Sequence, residues 1–409
     1  MTETFDVVIV GGGIAGAALG TVLARAGLEV CVLERQTEYA DRVRGEWFAP
    51  WGVAEAQQIG LYDVLMQAGG HHVAKQVGYG DWISPEDAEA GALPLDGIRP
   101  GIPGPVCLAH FTATEALARA AADTGAAVVR GVSRVFTEPG SAPEVSWTAD
   151  GGTRRVRCRL IVGADGRVSG VRERAGIQTR RVPERNHLSG LLVDDLDWPD
   201  GTEVIGAEGS LMYLAFPQGN GRVRLYLGLP NSARSTFTGP SGPANFINAF
   251  RFDSLPGSEH VSRATVAGPC AAYPGDDTWT DEPFAEGVVL VGDAAGYSDP
   301  TIGQGLSIAM RDVRLVADAL LGTTDWGPGL FASYAEERRE RMRRLRASAE
   351  LIGRLHVIDD PDACAIRRRA FPKAMSDPAL LMLMVAPIAG PDLAPAGAFE
   401  PGVVDRAFA

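Results

Sequence analysis

Cysteine is scarce and scattered: Cys31, Cys107, Cys158, Cys270 and Cys364 are odd in number and show no C-x-x-C spacing. A disulfide framework and a structural zinc site are both unsupported. Lysine is scarcer still, with only Lys75 and Lys373 among 38 basic residues, and the 51 acidic residues leave a formal net charge of -13. Nucleic acid is therefore not an expected partner, because binding a polyanion draws on a concentrated basic surface. The one basic run, Glu336 to Arg346, alternates with glutamate at helical spacing and reads as a solvated helix face. No apolar stretch reaches the ~20 residues of a membrane span. The chain runs from Thr4 directly into a strand with no basic segment, cleavage site or lipidation signal, so a cytoplasmic protein is expected. Metal and nucleophile signatures are missing too: there is no H-E-x-x-H and no Ser-His-Asp ordering. His71 and His72 are adjacent, cannot share a helix face, and suit a loop or cap.

What is present is the length and patterning of a soluble α/β enzyme. The 409 residues, 45% apolar and 22% charged, suit two packed domains. Phe5 to Val10 is a continuous β-branched run, followed by glycines and a helical stretch from Ala17 to Ala26, and Glu29 to Leu33 is a second strand ending on Glu34. Helices are expected at Glu55–Ala68, Thr112–Thr124, Leu306–Leu321 and Tyr334–Leu355, and buried strands at Leu160–Gly163 and Val288–Val291. Between about 180 and 280 the texture changes to short alternating strands, with a hairpin of Ser210–Phe216 and Arg222–Leu229 around Pro217 to Gly221. The reading is a discontinuous Rossmann-type α/β domain over 1–75, 105–178 and 283–385. A sheet-rich substrate domain over 76–104 and 179–282 is inserted into it, and a Pro-, Gly- and Ala-rich tail over 386–409 is expected to be loosely ordered.

Three turns carry chemistry. Gly11, Gly13 and Gly16 stand as G-x-G-x-x-G where the first strand becomes a helix, with Ile14 and Ala15 opening that helix towards a diphosphate. Glu34, 18 residues past Gly16, offers a carboxylate to ribose hydroxyls and disfavours a 2'-phosphate, so this site takes FAD or NAD. Gly163-Ala164-Asp165-Gly166, backed by Ser169, Val171 and Arg172, follows another strand. Gly292-Asp293-Ala294-Ala295 follows a third and leads to Pro300, Gly303, Gln304 and Gly305.

In this order, the three turns resemble the signatures of the class A flavoprotein monooxygenases typified by p-hydroxybenzoate hydroxylase, over nearly the whole chain. The resemblance implies FAD, with Gly11, Gly13, Ile14, Ala15, Gly16, Glu34 and Arg35 at its ADP half. Gly292 and Asp293 would hold the ribityl and pyrophosphate region. Asp165 and Gly166 would serve FAD and the approaching NADH or NADPH. Pro300, Gly303, Gln304, Gly305 and Leu306 would lie against the isoalloxazine ring, where the helix N-terminus stabilises negative charge. Pro300, Gly305 and Arg44 are the catalytic candidates, although Arg44 reads nearly as well as a surface arginine. His110 stands where many members carry arginine or glutamine, which leaves its role open. Gly296 and Ser307 replace the family's frequent His and Asn.

The implied activity is hydroxylation or epoxidation of an apolar, aromatic or polyketide-like small molecule with O2, through a flavin C4a-hydroperoxide. Tyr213, Phe216 and Tyr226 on the hairpin are the candidate substrate wall, against the plainer reading of a sheet with one core face and one wet face. Three other readings stand beside it. A flavin-dependent halogenase would use Lys75, but the W-x-W-x-I-P signature is missing. A saturating reductase of the geranylgeranyl type fits Gly296, Ala309 and Met310. A non-enzymatic flavin-binding protein is the third.

Overall fold

The β-branched run Val7-Val8-Ile9-Val10 is the buried half of a strand, Glu3–Val10, covered on both faces and so without alternation. In this computed structural model, which describes residues 3–149, 151–327 and 329–409, that strand is the centre of a parallel sheet. Val30–Glu34 pairs on one side and Gly152–Gly163 on the other. Ala127–Arg130 continues the sheet beyond the former, and Val288–Leu290 beyond the latter. The chain thus builds outward in one direction and then crosses to the other side of its first strand. Such a reversal leaves a crevice outside the carboxyl ends of Glu3–Val10 and Gly152–Gly163, where the first two glycine turns lie. Helices Ile14–Arg25, His110–Asp123 and Gly305–Leu321 cover one face through Leu19, Leu23, Leu117, Val313 and Val316. The hairpin Ser133–Glu138 with Glu144–Ala149 helps cover the other, burying Val145 and Trp147.

Two glycines make the crevice possible. Gly11 has φ +106°, and a Cβ there would sit 2.2 Å from the Ala164 carbonyl oxygen. A Cβ on Gly16 would sit 1.9 Å from the Gly11 carbonyl oxygen, so this contact sets how closely helix and strand approach.

The inserted block is a mostly antiparallel sheet in which Asn186–Asp194, Val223–Pro230, Leu211–Pro217 and Thr202–Glu208 pair in that order. Lys75–Gly80 adds in parallel to Thr202–Glu208. The outer face packs Leu191, Val193, Tyr213, Leu225 and Leu227 under Phe237, Phe246, Phe250 and Phe252. The inner face, with Leu188, Met212, Leu214 and Tyr226, meets Met342, Leu345 and Ile352 of the long helix Ala332–His356.

Local expectations give way at three places. The segment 55–68 is divided between two helices, Pro50–Gln58 and Tyr62–Gln67, because Gly60 turns the chain with φ +67°. The run from Glu336 to Arg346 is not simply a solvated face. Arg338, Arg341, Met342 and Leu345 recur at i, i+3, i+4 and i+7, and are buried. The stretch beyond Ala386, expected to be loosely ordered, buries Ala394, Ala398, Phe399, Val403, Val404 and Ala407 against Leu351, Leu355 and Phe371. Among the described residues, no helix is long and apolar enough to cross a membrane.

Candidate active site

At the end of the second strand the Glu34 carboxylate accepts from the backbone N–H of Gly12 at 2.8 Å and of Gln36 at 2.7 Å. It therefore ties the glycine turn to its neighbour while retaining lone pairs for a ribose. Gly13, the N-cap of Ile14–Arg25, supplies no side-chain cap, and a Cβ built on it meets nothing within 4 Å. The first N–H groups of the helix open on free space, which suits a diphosphate. Arg35 is exposed just beyond Glu34. The Tyr39 hydroxyl donates to the Gly12 carbonyl oxygen at 2.6 Å, and its ring lies 4.8 Å from the Arg130 guanidinium.

Asp165 spends its carboxylate on its own turn, accepting from the Ser169 hydroxyl at 2.5 Å and the Val171 N–H at 3.1 Å. Burial pushes its pKa up, against the pull of these bonds. Arg172 joins this turn to the third one by donating to the carbonyl oxygens of Arg167 at 3.0 Å and Ala294 at 2.8 Å. Asp293 keeps a partly exposed carboxylate, 3.6 Å from the Arg167 Nε. That Nε is buried without a hydrogen-bond partner, while the guanidinium stacks 4.3 Å from the Tyr297 ring centre. An orphaned cationic N–H beside Asp293 fits a polar cofactor passing between the two turns.

The third turn is anchored from beneath by a cluster that sequence reading missed. Asp312 is fully buried and accepts from Gly292 N–H at 2.8 Å, Arg338 Nε at 3.1 Å and Arg341 Nη2 at 2.7 Å. Arg338 also donates to the carbonyl oxygens of Gly292, Ala295 and Gly296. The only local signal was that Arg338 and Arg341 share the apolar stripe of their helix.

Asp299 caps the turn that follows, accepting from Thr301 N–H at 2.8 Å. Gln304 is buried, accepting from Trp51 Nε1 at 2.9 Å and donating to the Ile302 carbonyl at 2.6 Å, so its side chain shapes the loop. The helix Gly305–Leu321 then begins without a side-chain cap, and a Cβ on Gly305 meets nothing within 4 Å. Leu306 is buried at its first turn.

In front of this turn lies a cavity of about 980 Å³, counted to its open mouth. Pro300, Thr301, Ile302 and Gly303 form one wall, and Leu188, Ile205, Leu214, Phe216 and Tyr226 the other. Met384, Pro387 and Ile388, from the helix Pro378–Ala389, close it further out. Arg44 also lines it, exposed and 5.2 Å from the Tyr273 ring centre, and its carbonyl accepts from the Tyr226 hydroxyl at 2.8 Å. The loop carrying Arg44 is held by a buried arginine. Arg224 donates to both Glu46 oxygens and to Asp41, each at 2.9 Å.

The candidate residues separate on this geometry. Phe216 and Tyr226 line the cavity, but Tyr213 does not. It lies on the opposite face of the same strand, buried against Phe252 with its hydroxyl 2.9 Å from Ser254 Oγ, because side chains alternate along a strand. Tyr213→Phe should accordingly cost about 0.5–1.5 kcal/mol of stability, read by urea unfolding, and leave ligand affinity unchanged. A several-fold loss of affinity at unchanged stability would contradict this placement. His110 opens the helix His110–Asp123, its N–H 3.2 Å from Glu46 Oε1, and is not part of the cavity lining. Burial and then the charge of Arg44 depress its pKa to about 4, so its ring is neutral. Lys75 is exposed and stands outside the cavity. His71 and His72 lie in a two-residue strand, with His72 between the Tyr62 hydroxyl and the Pro105 carbonyl.

A family model described as FAD binding domain matches residues 4–349. The chain is 27% identical over 338 residues to menaquinone reductase of Mycobacterium tuberculosis, covering 78% of this chain and 77% of that one. It is 25% identical over 323 residues to squalene monooxygenase of Mus musculus, covering 76% of this chain and 54% of that one. The fold matches that of PqsL from P. aeruginosa, solved with 2-aminobenzoylacetate, at a TM-score of 0.74 and 21% identity, over 89% of this chain and 99% of that one. With the three glycine turns grouped at one crevice and the match spanning most of its length, the chain belongs to the FAD-binding domain family of flavoprotein oxidoreductases.

Proposed function

We propose that the protein is a single-component monooxygenase that takes electrons from NADH or NADPH and uses O2 to hydroxylate or epoxidise an apolar, aromatic or polyketide-like molecule. One observation carries this reading: a mainly apolar cavity opens directly against the Pro300–Gly303 turn, which leads into the uncapped start of the Gly305 helix. The residues present fit FAD. The Gly11–Gly16 turn and Glu34 would hold its ADP half, Arg167 and Asp293 its middle, and the Gly305 helix its ring. Bound FAD supplies electron transfer and oxygen activation. The chain's own part is to exclude water with Leu188, Leu214, Phe216 and Ile302, and to orient substrate in front of the turn. A halogenase using Lys75 is disfavoured, since that side chain faces solvent.

A second reading keeps a specific support. The chain shares the Gly-Asp-Ala-Ala-Gly turn on which a saturating reductase was read, and a relative named menaquinone reductase matches 78% of it. One experiment separates the two. Monooxygenation requires NAD(P)H oxidation that accelerates with substrate in air, and product that carries oxygen from isotopically heavy dioxygen. Turnover in the absence of dioxygen, or a saturated product without added oxygen, sinks the first reading and supports the second.

A further inference from the structure

One buried acid near the cavity has no role in the assignments above. Glu203 is fully buried, and its oxygens meet two neutral groups, Trp47 Nε1 at 2.7 Å from Oε2 and Gln76 Nε2 at 3.0 Å from Oε1. Strand register explains the second contact, because Glu203 and Gln76 are direct partners in the parallel pair and share its inner face. Trp47 and Gln76 both line the cavity, whereas Glu203 stands behind them. On the sheet that carries Gln76, the lining residues Val204, Ile205, Leu214 and Phe216 are hydrocarbon, so Gln76 is a rare polar contact there.

We propose that Gln76 is the side chain that orients substrate in this cavity, and that Glu203 behind it decides whether Gln76 presents an N–H donor or a carbonyl acceptor. The proposal rests on the reading of the cavity as the substrate site. Trp47 Nε1 can only donate, which commits Oε2 as acceptor and leaves Oε1 to Gln76. An amide turns end for end without moving its heavy-atom positions, so the 3.0 Å contact serves both protonation states. An ionised Glu203 accepts from the amide N–H and leaves the amide oxygen facing the cavity. A neutral Glu203 donates to the amide oxygen and turns the NH2 outward. Burial pushes Glu203 up to about 8, with the two hydrogen bonds pulling back, so the neutral form prevails at pH 7.

The other titratable groups nearby do not reverse this. The thiol of Cys107, facing both Glu203 and Glu46, is driven up by burial and then by those carboxyls. Glu46 is neutralised by Arg224, and His71, paired with Cys107 across the short sheet, is bound to the Asp200 carbonyl. Lys75 is exposed. At neutral pH the cavity therefore offers a donor, and the ligand it selects is an apolar molecule bearing an acceptor oxygen such as a ring carbonyl.

The test uses FAD-loaded protein with 15N-labelled tryptophan and glutamine. The Trp47 indole and Gln76 amide resonances, assigned through Trp47→Phe and Gln76→Leu, should titrate together with a midpoint near about 8 and stand still in Glu203→Gln. Resonances that stay flat from about pH 6 to about pH 9.5 in the parent overturn the proposal. Equilibrium dialysis at pH 7 with acetonaphthone and ethylnaphthalene tests the ligand class. Gln76→Leu should reduce the preference for the ketone about tenfold. A preference that is the same in parent and Gln76→Leu also overturns it. Neither readout needs turnover, so its failure is distinguishable from failure of the monooxygenase reading, which the dioxygen-labelling experiment decides alone.

Discussion

Asp312→Ala should remove about 3–5 kcal/mol of stability and release bound FAD, because it leaves the buried Arg338 guanidinium without its counter-ion and Arg341 with Glu337 alone. Asp312 is the shared acceptor for Arg338, Arg341 and Gly292 N–H, and Arg338 in turn holds three carbonyl oxygens of the Gly292–Gly296 turn. Burial alone would raise the Asp312 pKa, but the two arginines overrule it and hold the group below its ordinary 3.8. The sign follows from that direction. A depressed folded-state pKa contributes stability that is fully present above the ordinary value and is lost as pH falls through the depressed one, so the cluster fails only in strong acid. Urea unfolding at pH 7 and FAD absorbance after gel filtration measure both effects. A variant within about 0.5 kcal/mol of the parent that keeps its flavin would show that the cluster does not anchor the turn.

Gly13→Ala should weaken FAD binding by at least about tenfold, ~1.4 kcal/mol, while leaving the stability of the flavin-free protein almost unchanged. Its backbone, at φ -70° and ψ -170°, suits alanine, and the added Cβ meets no protein atom within 4 Å. The methyl group would instead occupy the open space before the helix, where a diphosphate would approach the N–H groups. Gly16→Val is the contrasting change. Its Cβ falls 1.9 Å from the Gly11 carbonyl oxygen, so the helix must leave the strand and the flavin-free protein itself is destabilised. Titration of each flavin-free variant with FAD, together with thermal unfolding, separates the two. Full FAD affinity in Gly13→Ala would mean that the helix start is not the diphosphate site.

The position of the glycine-turn crevice was legible in the residues because its determinants are local. A β-branched run, a glycine turn and a helix start are each specified within a few positions, and their repetition at Gly11, Gly163 and Gly292 placed three strand ends before any packing was known. The hairpin was equally local, but Tyr213 and Phe216, grouped there as one substrate wall, stand on opposite faces of one strand. Which of its two faces would meet the cavity was not local. That depended on the Phe-rich segment covering one side and the long helix covering the other.

Charge was the least legible property. Arg224, Arg338, Arg341 and Glu203 look like surface residues in sequence, since isolated charges are rarely buried. Each is inside because its partner, Glu46, Asp312 or the Trp47–Gln76 pair, arrives from 26 to 178 positions away. The sequence by itself determined the class of cofactor and the three glycine turns at the strand ends, through short-range backbone geometry. The lining of the apolar cavity and the burial of the acid behind it were decided only by the tertiary structure, because desolvation and ion pairing depend on what surrounds a side chain.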